Sequence, residues 1–347
     1  ATGTVIIKLS DLVDGQEAVC FAALVRKTRA MTKSSQPYLK CQFRDKKTTV
    51  DAMLWHDSRF YREADSWIDG CAYRLHVRGR MDIRYGMQVD ILGIRAATDD
   101  DVRDGFNFAD LVDSSKYAPE LLLKKIQGLI DSHINQPQLK RLVEGLLSEN
   151  LSLFQKMPAA QNMHHSYNAG LLEHVWSMTR IAAFVADHYS KYYDELDPPL
   201  NRGIIVAATI LHDIGKLREL EYRPLEARYT KEGCLIGHVL MGRDMAREAA
   251  SKIDAFPQEL LILLEHAILA HHGKREFGSP VLPQTIEALI VSYIDEMDAK
   301  INVAAREIMT SQTEDLFTDK VYALDNRRLY KGQAEELPAS PPVRPPD

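Results

Sequence analysis

The spacing of hydrophobic residues changes once along this chain, and the change divides it into two parts. From residue 17 to residue 95, apolar and polar residues alternate in short runs between turns, which is the pattern of β-strands. From Pro119 to about residue 310, apolar residues recur every three or four positions, which predicts helices and no convincing strand. The polar, turn-rich stretch 98–116 separates the two patterns. The sequence therefore favours a β domain followed by an all-helical domain.

The first part of the chain predicts five strands and one helix. We place the strands at 17–28, 37–45, 48–55, 71–83 and 87–95, and the helix at 58–66. A helix between the third and fourth of five strands is the layout of an OB β-barrel, and a small sandwich is the competing interpretation. The predicted fold class is thus multi-domain α+β, with an N-terminal five-stranded OB β-barrel followed by an all-α helical bundle.

Strand alternation places aromatic and basic side chains together on one outer face of the predicted barrel. Tyr38, Lys40 and Arg44 share the outer face of the second strand, and Trp55 ends the outer row of the third. Aromatic rings stack on bases and cations bind phosphates, so this face is a candidate platform for single-stranded nucleic acid. The alternative is that Trp55 packs beneath the helix at 58–66 and that the cations only contact solvent. Further candidate contacts are Arg80, Tyr85 and His165.

Charge and composition narrow the classes of protein. The formal net charge of the 347 residues is −6, but the first hundred residues carry +3, which suits a polyanionic partner there without proving one. The four cysteines form no CxxC pair, which argues against a zinc knuckle and a disulfide framework. No apolar run approaches the 18 or more residues of a membrane helix, and the N-terminus lacks a signal pattern, so we expect a cytoplasmic protein.

The same patterns divide the chain into four segments. The stretch from Gly332 to Asp347 holds five of the 15 prolines and little that could pack, which predicts a disordered tail. We expect an OB-fold nucleic-acid-binding domain at 1–98, a linker with leading helices at 99–150, a helical metal-dependent domain at 151–312, and a C-terminal extension with the Pro-rich tail at 313–347.

The apolar stretch 204–216, IIVAATILHDIGK, ends in a possible metal site. His212 and Asp213 stand side by side at the end of a predicted helix, and Gly215 is expected to close it in a left-handed turn. An imidazole beside a carboxylate can hold a divalent cation and an activated water. Further residues of these types fall on predicted helices or their ends, namely His174, His238, His271, His272 and Asp295. Nitrogen and oxygen donors without a thiolate favour Mn²⁺, Fe²⁺, Co²⁺, Ni²⁺ or Zn²⁺ over Mg²⁺.

The order of these residues on an all-helical domain resembles the ligand pattern of the HD phosphohydrolase superfamily. The resemblance implies a metal set of His174, His212, Asp213 and Asp295, with His238, His271 and His272 as candidate ligands of a second ion. Asp213 could then bridge two ions roughly 3.5 to 4 Å apart, and a metal-activated hydroxide would attack the phosphodiester in line. Lys216 could neutralise phosphoryl charge, its alternative being a charge at a helix C-terminus. The implied catalytic residues are His212, Asp213 and Lys216, and Asp298 and Lys300 are expected to support ligands or substrate.

The resemblance extends to a narrower family. The blocks HHSYNAGLLEHV, ILHDIGKLRELEY, EGCLIGHVLMG, LAHHGKREFGSPVLPQTIEAL and IDEMDAK, behind an OB-like region, resemble the YhaM-type 3′-to-5′ exoribonucleases over roughly residues 5–310. The chain departs from that family at Ala169-Gly170, where two glycines are usual, and at the turn 45–48, which lacks the common glycine. The resemblance implies hydrolysis of single-stranded RNA to nucleoside 5′-monophosphates with two divalent ions, manganese first among them. Single-stranded DNA as a second substrate and a homo-oligomer are left open.

Other functions remain compatible with these residues. An HD-type nucleotide phosphohydrolase or phosphodiesterase would act on small nucleotides and ignore polymers. An RNA-binding adaptor with a silent HD site is disfavoured because the ligand set has no gap. An HD oxygenase could use the same ligands, but the predicted OB domain argues against it.

Overall fold

The N-terminal part of the chain folds into a small β-barrel. The computed structural model describes residues 5–332, apart from 33, 84–85, 113, 160–166, 224–226 and 312. The strands of the barrel are β1 (Glu17–Met31), β2 (Pro37–Arg44), β3 (Thr49–Trp55), β4 (Ala72–Asp82) and β5 (Gly86–Ala96). They close in the order β1-β2-β3-β5-β4, with β1 pairing antiparallel to both β2 and β4. The ring is completed by a parallel pairing of β3 with β5 at Asp51 and Gln88.

The helix inside the barrel lies where the sequence predicts it. Helix α1 (Arg59–Glu63) begins after Ser58, whose side chain accepts a hydrogen bond from the backbone of Phe60, and continues as a 3₁₀ turn to Ser66. It lies between β3 and β4. A closed five-stranded ring with this helix position is the OB topology, so the OB prediction is confirmed and the sandwich is not the fold.

Alternation along the strands builds the barrel core. Leu39, Cys41 and Phe43 of β2 are buried, as predicted for the inner face, and so are their partners in β3. Trp67, rather than Trp55, packs beneath α1, since its ring centroid lies 6.5 Å from that of Phe60 and it is almost fully buried. The alternative interpretation of Trp55 is therefore wrong.

Both departures from the family pattern have a local structural basis. In the turn 45–48, the Asp45 carboxylate accepts hydrogen bonds from the backbone of Lys47 at 2.9 Å and of Thr48 at 2.8 Å, which shapes the turn without a glycine. Ala169 adopts a left-handed conformation with φ 60° immediately before a long helix. Glycine is the usual residue in that conformation, so the common Gly-Gly pair matches the backbone that the structure shows.

The second part of the chain is helical. Its helices are α2 (Pro119–His133), α3 (Pro137–Glu149), α4 (Leu151–Phe154), α5 (Gly170–Tyr192), α6 (Arg202–Leu211), α7 (Lys216–Glu219), α8 (Lys231–Ile236), α9 (His238–Ser251), α10 (Gln258–Ala270) and α11 (Ile286–Thr310). Helix α6 is the central one, because every residue from Gly203 to Leu211 is buried. Helices α2 and α3 share the same hydrophobic core, so the core continues across the boundary that the sequence places at residue 151. Among the described residues, no helix is both long enough and apolar enough to cross a membrane.

Two short β elements depart from the helical prediction. Strands β6 (Leu220–Glu221) and β7 (Arg228–Tyr229) pair antiparallel, so the expectation of no strand between residues 119 and 310 is wrong. Two-residue strands carry no readable alternation, which is why periodicity missed them. Residues 317–330 form a hairpin with bridges between Phe317 and Tyr330 and between Val321 and Arg327. We call this segment the C-terminal hairpin.

Candidate metal centre and nucleic-acid face

The turn between α6 and α7 brings the central His-Asp pair to the C-terminal half of the domain. Gly215 in this turn has φ −62° and a right-handed conformation, so the predicted left-handed turn is wrong. The glycine is required for another reason, because a Cβ atom there would lie 2.0 Å from the carbonyl oxygen of His238 and 2.6 Å from the backbone nitrogen of Gly242. This close approach of α9 places His238 beside Asp213.

The predicted ligands form two clusters. The donor atoms of His174, His212 and Asp295 lie within 4.8 Å of one another, and those of His238, His271 and His272 form a second such group. In the first cluster, the Oδ1 atom of Asp295 lies 3.2 Å from Nε2 of His174 and 3.8 Å from Nε2 of His212. These residues come from α5, α9 and α11 and from the ends of α6 and α10, so the folded bundle is needed to assemble them.

Asp213 stands between the two clusters and offers one oxygen to each. Its Oδ2 atom lies 3.3 Å from Nε2 of His212 and 4.0 Å from Nε2 of His174. Its Oδ1 atom lies 3.4 Å from Nε2 of His238 and 3.7 Å from Nε2 of His271. This is the arrangement of a carboxylate that bridges two ions.

A second hydrogen bond orients each of four histidine rings. The Nδ1 atom of His212 donates to the carbonyl oxygen of Thr209 at 2.8 Å, and Nδ1 of His271 donates to that of Ile268 at 2.7 Å. A carbonyl oxygen only accepts, so both Nδ1 atoms carry the proton and both Nε2 atoms keep a lone pair. The corresponding partners are Asp298 for His174, at 2.8 Å, and Glu219 for His238, at 3.0 Å.

Several buried polar atoms at the centre lack a hydrogen-bond partner among the described residues. They are Nε2 of His212, His238 and His271, Nδ1 of His272 and Oδ1 of Asp213. Leaving a buried polar group unpaired costs about 1–3 kcal/mol, and such groups are rare in folded proteins. Divalent ions held by these lone pairs would satisfy all five atoms. The residues present therefore fit two divalent cations.

The protonation states suit metal binding. Burial lowers the pKa of His271 far below its ordinary value and also lowers the pKa of His272, so both rings are neutral and can donate a lone pair. Burial would raise the pKa of Asp213, but Lys216 and His212 outweigh it and hold the pKa well below the ordinary value. Burial likewise lowers the pKa of His174, yet its hydrogen bonds with Asp295 and Asp298 raise that pKa to about 9 in the metal-free site.

Lys216 lies at the centre itself. Its Nζ atom donates to Oδ2 of Asp213 at 2.6 Å, and the side chain is nearly buried. Because Lys216 is the first residue of α7, the alternative of a charge at a helix C-terminus is wrong. Its place beside the bridging carboxylate is compatible with the predicted contact to a phosphoryl group.

The structure also identifies supporting residues and excludes one histidine. Asp298 was a predicted support, but Glu219 was missed, and only its burial and its pairing with His238 reveal its role. The Nε2 atom of His266 accepts a hydrogen bond from the backbone of Gln284 at 2.9 Å, which makes His266 a structural residue.

The outer face of the barrel carries most of the predicted nucleic-acid contacts. Tyr38 and Trp55 are cross-strand partners with ring centroids 5.3 Å apart, and Trp55 is 45% exposed. Lys40 pairs with Asp51 at 2.8 Å, and Arg80 donates to Gln88 at 2.8 Å. Because Gln42, Asp51, Gln88 and Arg80 are successive cross-strand partners, these polar residues form one row over four strands. Arg44 lies at the end of β2, whereas Tyr85 and His165 lie outside the described residues.

Comparison with known families and structures places the chain. The HD domain family model matches residues 171–300, a range that contains all seven predicted ligands. A helicase family model, TraI_2, matches residues 115–203. A replication protein A domain from Methanococcus maripaludis aligns with 26% of this chain and 94% of its own, at 14% identity and a TM-score of 0.22. Fission yeast Pot1 with single-stranded DNA aligns with 27% of this chain and 40% of its own, at 12% identity and a TM-score of 0.22. We infer nothing from these low scores.

A full-length relative is more informative. The 3′-5′ exoribonuclease YhaM of Shouchella clausii is 33% identical to this chain over 332 residues, which span 95% of this chain and 97% of the relative. The predicted resemblance is thereby confirmed, and the chain belongs to the YhaM family of 3′-5′ exoribonucleases.

Proposed function

We propose that this chain is a metal-dependent 3′-to-5′ exoribonuclease that hydrolyses single-stranded RNA to nucleoside 5′-monophosphates. The observation that carries the proposal is the position of Asp213, which offers one carboxylate oxygen to each of two histidine clusters. The direction of hydrolysis and the RNA substrate follow from family membership. Manganese is the first candidate, and Co²⁺, Fe²⁺, Ni²⁺ and Zn²⁺ are the others, because the donors are imidazole and carboxylate.

The side chains have distinct roles in this proposal. His174, His212 and Asp295 would hold one ion, His238, His271 and His272 would hold the other, and Asp213 would contact both. Two such ions supply an activated water and stabilise the attacking and leaving oxygens of the phosphodiester. Lys216, fixed by Asp213, contributes a positive charge next to the phosphoryl oxygens. Thr209, Ile268, Glu219 and Asp298 keep the histidine rings in their ligand orientation.

The barrel would hold the strand upstream of its 3′ end. The exposed Trp55 beside Tyr38 supports a stacking surface, and the polar row that includes Lys40 and Arg80 supports a path for the backbone. The ion pair of Lys40 with Asp51 does not prevent this role, because partly exposed ion pairs are weak and exchange readily. Arg44, Tyr85 and His165 remain candidate contacts. Cytoplasmic localisation, a homo-oligomer and activity on single-stranded DNA also stay predictions.

The proposal is tested with 5′-labelled single-stranded RNA and matched DNA in Mn²⁺, resolved on a sequencing gel with a mononucleotide assay alongside. We expect a ladder that shortens from the 3′ end together with release of nucleoside monophosphates. Intact polymers despite turnover of free nucleotides would instead favour a phosphohydrolase of small nucleotides. Strand binding without any hydrolysis would favour an RNA-binding adaptor.

Replacement of His212 and Asp213 with Ala assigns the activity to the metal centre. We expect the double variant to lose hydrolysis and to keep most of its affinity for RNA, because the strand is held mainly by the barrel. His188→Ala is the matched control, since His188 lies exposed on α5 and should not affect either property. Equal loss of binding and hydrolysis in the double variant would mean that the centre is part of the binding surface or of the fold.

A further inference from the structure

A cavity of about 340 Å³ adjoins the metal centre and extends along α11. The helix contributes Asp295, Glu296, Ala299, Lys300 and Val303, which lie on one face at spacings of three to five residues. From Asp295 to Val303 the helix rises about 12 Å, at about 1.5 Å per residue. The volume falls within the range of small-molecule sites, which starts at about 300 Å³.

The two ends of the cavity differ in chemistry. At one end are Asp213, Lys216 and the two adjacent histidines 271 and 272, all members of the metal centre. Ala299 and Val303, one and two turns beyond the ligand Asp295, make the wall apolar farther along α11. A nucleotide has the same polarity, with a charged phosphate at one end and a flat, largely apolar base at the other.

Phe277 supplies an aromatic surface to this cavity. It lines the cavity while its side chain remains 52% exposed. The 3₁₀ turn Arg275–Phe277 lies against the centre, because a Cβ atom on the following Gly278, which has φ 97°, would be 3.6 Å from Nδ1 of His272. An exposed ring held beside a phosphodiester site can stack on any of the four bases.

The C-terminal hairpin contributes to the same cavity. Ala323 of this hairpin lines the cavity, and its neighbours Val321 and Leu324 are buried, which anchors the segment. The hairpin is held further by backbone hydrogen bonds, including one from Val321 to Arg327 at 2.9 Å. A segment that the sequence assigned only to a C-terminal extension thus forms part of the site.

We propose that this cavity is the subsite for the 3′-terminal nucleoside, whose base stacks on Phe277 and lies against Ala323 of the C-terminal hairpin. The inference rests on the proposed exoribonuclease function and adds to it the residues that position the terminal base. Since stacking does not distinguish the bases strongly, this subsite accepts successive 3′ nucleotides of any sequence.

The test uses two RNAs of the same sequence that end in either a normal 3′ nucleotide or an abasic ribose. For the wild-type enzyme with Mn²⁺, we expect kcat/KM for removal of the first residue to be about 5- to 150-fold lower on the abasic end, the range that loss of one stacking contact gives. Phe277→Ala should slow removal of the normal end by a similar factor and leave the abasic end unchanged. Phe277→Trp should restore the difference.

Controls separate stacking from an effect on the fold. Phe184→Ala removes an exposed Phe from α5 and should change neither rate. Inhibition of the wild-type enzyme by AMP and by ribose 5-phosphate reports binding separately from turnover, and Phe277→Ala should weaken only the inhibition by AMP. Ala323→Trp, which fills part of the cavity, should slow the normal end more than the abasic end.

Each result has a defined meaning. If the wild-type enzyme does not shorten RNA, the proposed function falls and this inference falls with it. If RNA is shortened at equal rates from normal and abasic ends, the inference alone is wrong. Equal slowing of both ends by Phe277→Ala would also overturn it, because a base-stacking residue cannot act on an end that has no base.

Discussion

The histidine rings of the metal centre are fixed before any ion binds. Thr209 and Ile268 present backbone carbonyl oxygens to His212 and His271, and these acceptors leave no choice of tautomer. The rings of His174 and His238 are instead held by the carboxylates of Asp298 and Glu219. A carboxylate also increases the basicity of the ligand that it holds, so each cluster has one ring that a single substitution can weaken without removing a ligand.

Asp298→Asn should therefore weaken the first metal site selectively. The loss of a carboxylate behind His174 is expected to lower the affinity of that site about 10- to 100-fold, as for other residues that support a metal-bound histidine. Glu219→Gln is the matched variant behind His238 and should weaken the second site instead. Calorimetric titration of the metal-free protein with Mn²⁺ resolves the two effects. Unchanged titrations of both variants would show that these carboxylates do not support ligands.

At the scale of single elements, periodicity predicted most of the structure. The strands of the barrel and the helix α1 lie within a few residues of their predicted positions, because each has one buried and one exposed face. The two-residue strands β6 and β7 and the C-terminal hairpin were missed, since tertiary contacts rather than a hydrophobic period determine them. Gly215 was identified as important but for the wrong reason, because its contact with α9 cannot be inferred from local sequence.

Prediction of the site succeeded for residue types that few other roles explain. His174, His212 and Asp213 were recognised from their order and chemistry, and the structure brings them together with the other predicted ligands. Glu219 and Phe277 were missed because a glutamate and a phenylalanine on helical segments have many ordinary roles. Their positions beside His238 and in the cavity appear only once the helices are packed.

The segment after the barrel is held by one strong ion pair. Asp101 is 3% exposed, and its carboxylate accepts two hydrogen bonds from Arg95, at 2.5 and 2.7 Å, and one from the backbone of Thr98 at 2.8 Å. The bonds from Arg95, the largest effect, hold the pKa of Asp101 well below its ordinary value. A carboxylate whose pKa is lower in the folded state stabilises the fold at neutral pH, and this contribution is lost progressively on acidification.

Asp101→Asn should thus destabilise the protein by about 1 kcal/mol at pH 7, a value for a charge-assisted hydrogen-bonded pair of which one partner is exposed. Because an unfolded Asp titrates near pH 3.9, the difference between variant and wild type should be complete above about pH 4 and shrink as the pH falls toward the lower folded pKa. Urea unfolding at pH 7 and pH 3 measures this. Asp100→Asn, at an exposed position in the same segment, should have little effect at either pH. A difference that grows on acidification would contradict the ion-pair explanation.

At the scale of the whole molecule, the barrel and the helical domain are in contact. Arg228 of β7 lies 3.5 Å from Asp69, which precedes β4 of the barrel, and the backbone of Lys46 donates to the carbonyl oxygen of Asp110 at 2.9 Å. Since β7 pairs with β6 immediately after α7, this contact lies close in sequence to Lys216 and Glu219 of the metal centre. The fold thus combines a candidate strand-binding barrel with a centre that would act on one end of the strand.

This division of labour predicts that substrate length matters. Replacing both Tyr38 and Trp55 with Ala should weaken binding of long single-stranded RNA, because each stacked base contributes about 1–3 kcal/mol. A dinucleotide is expected to occupy the metal centre and its cavity without reaching the barrel, so its kcat/KM should stay within about twofold of wild type. Affinity for a long strand, measured by fluorescence anisotropy, and dinucleotide turnover together distinguish the two surfaces. Tyr192→Ala, which removes an exposed aromatic ring from α5, is the control. If long strands bind the double variant as tightly as wild type, the exposed rings of the barrel are not the platform, and the strand must be held elsewhere.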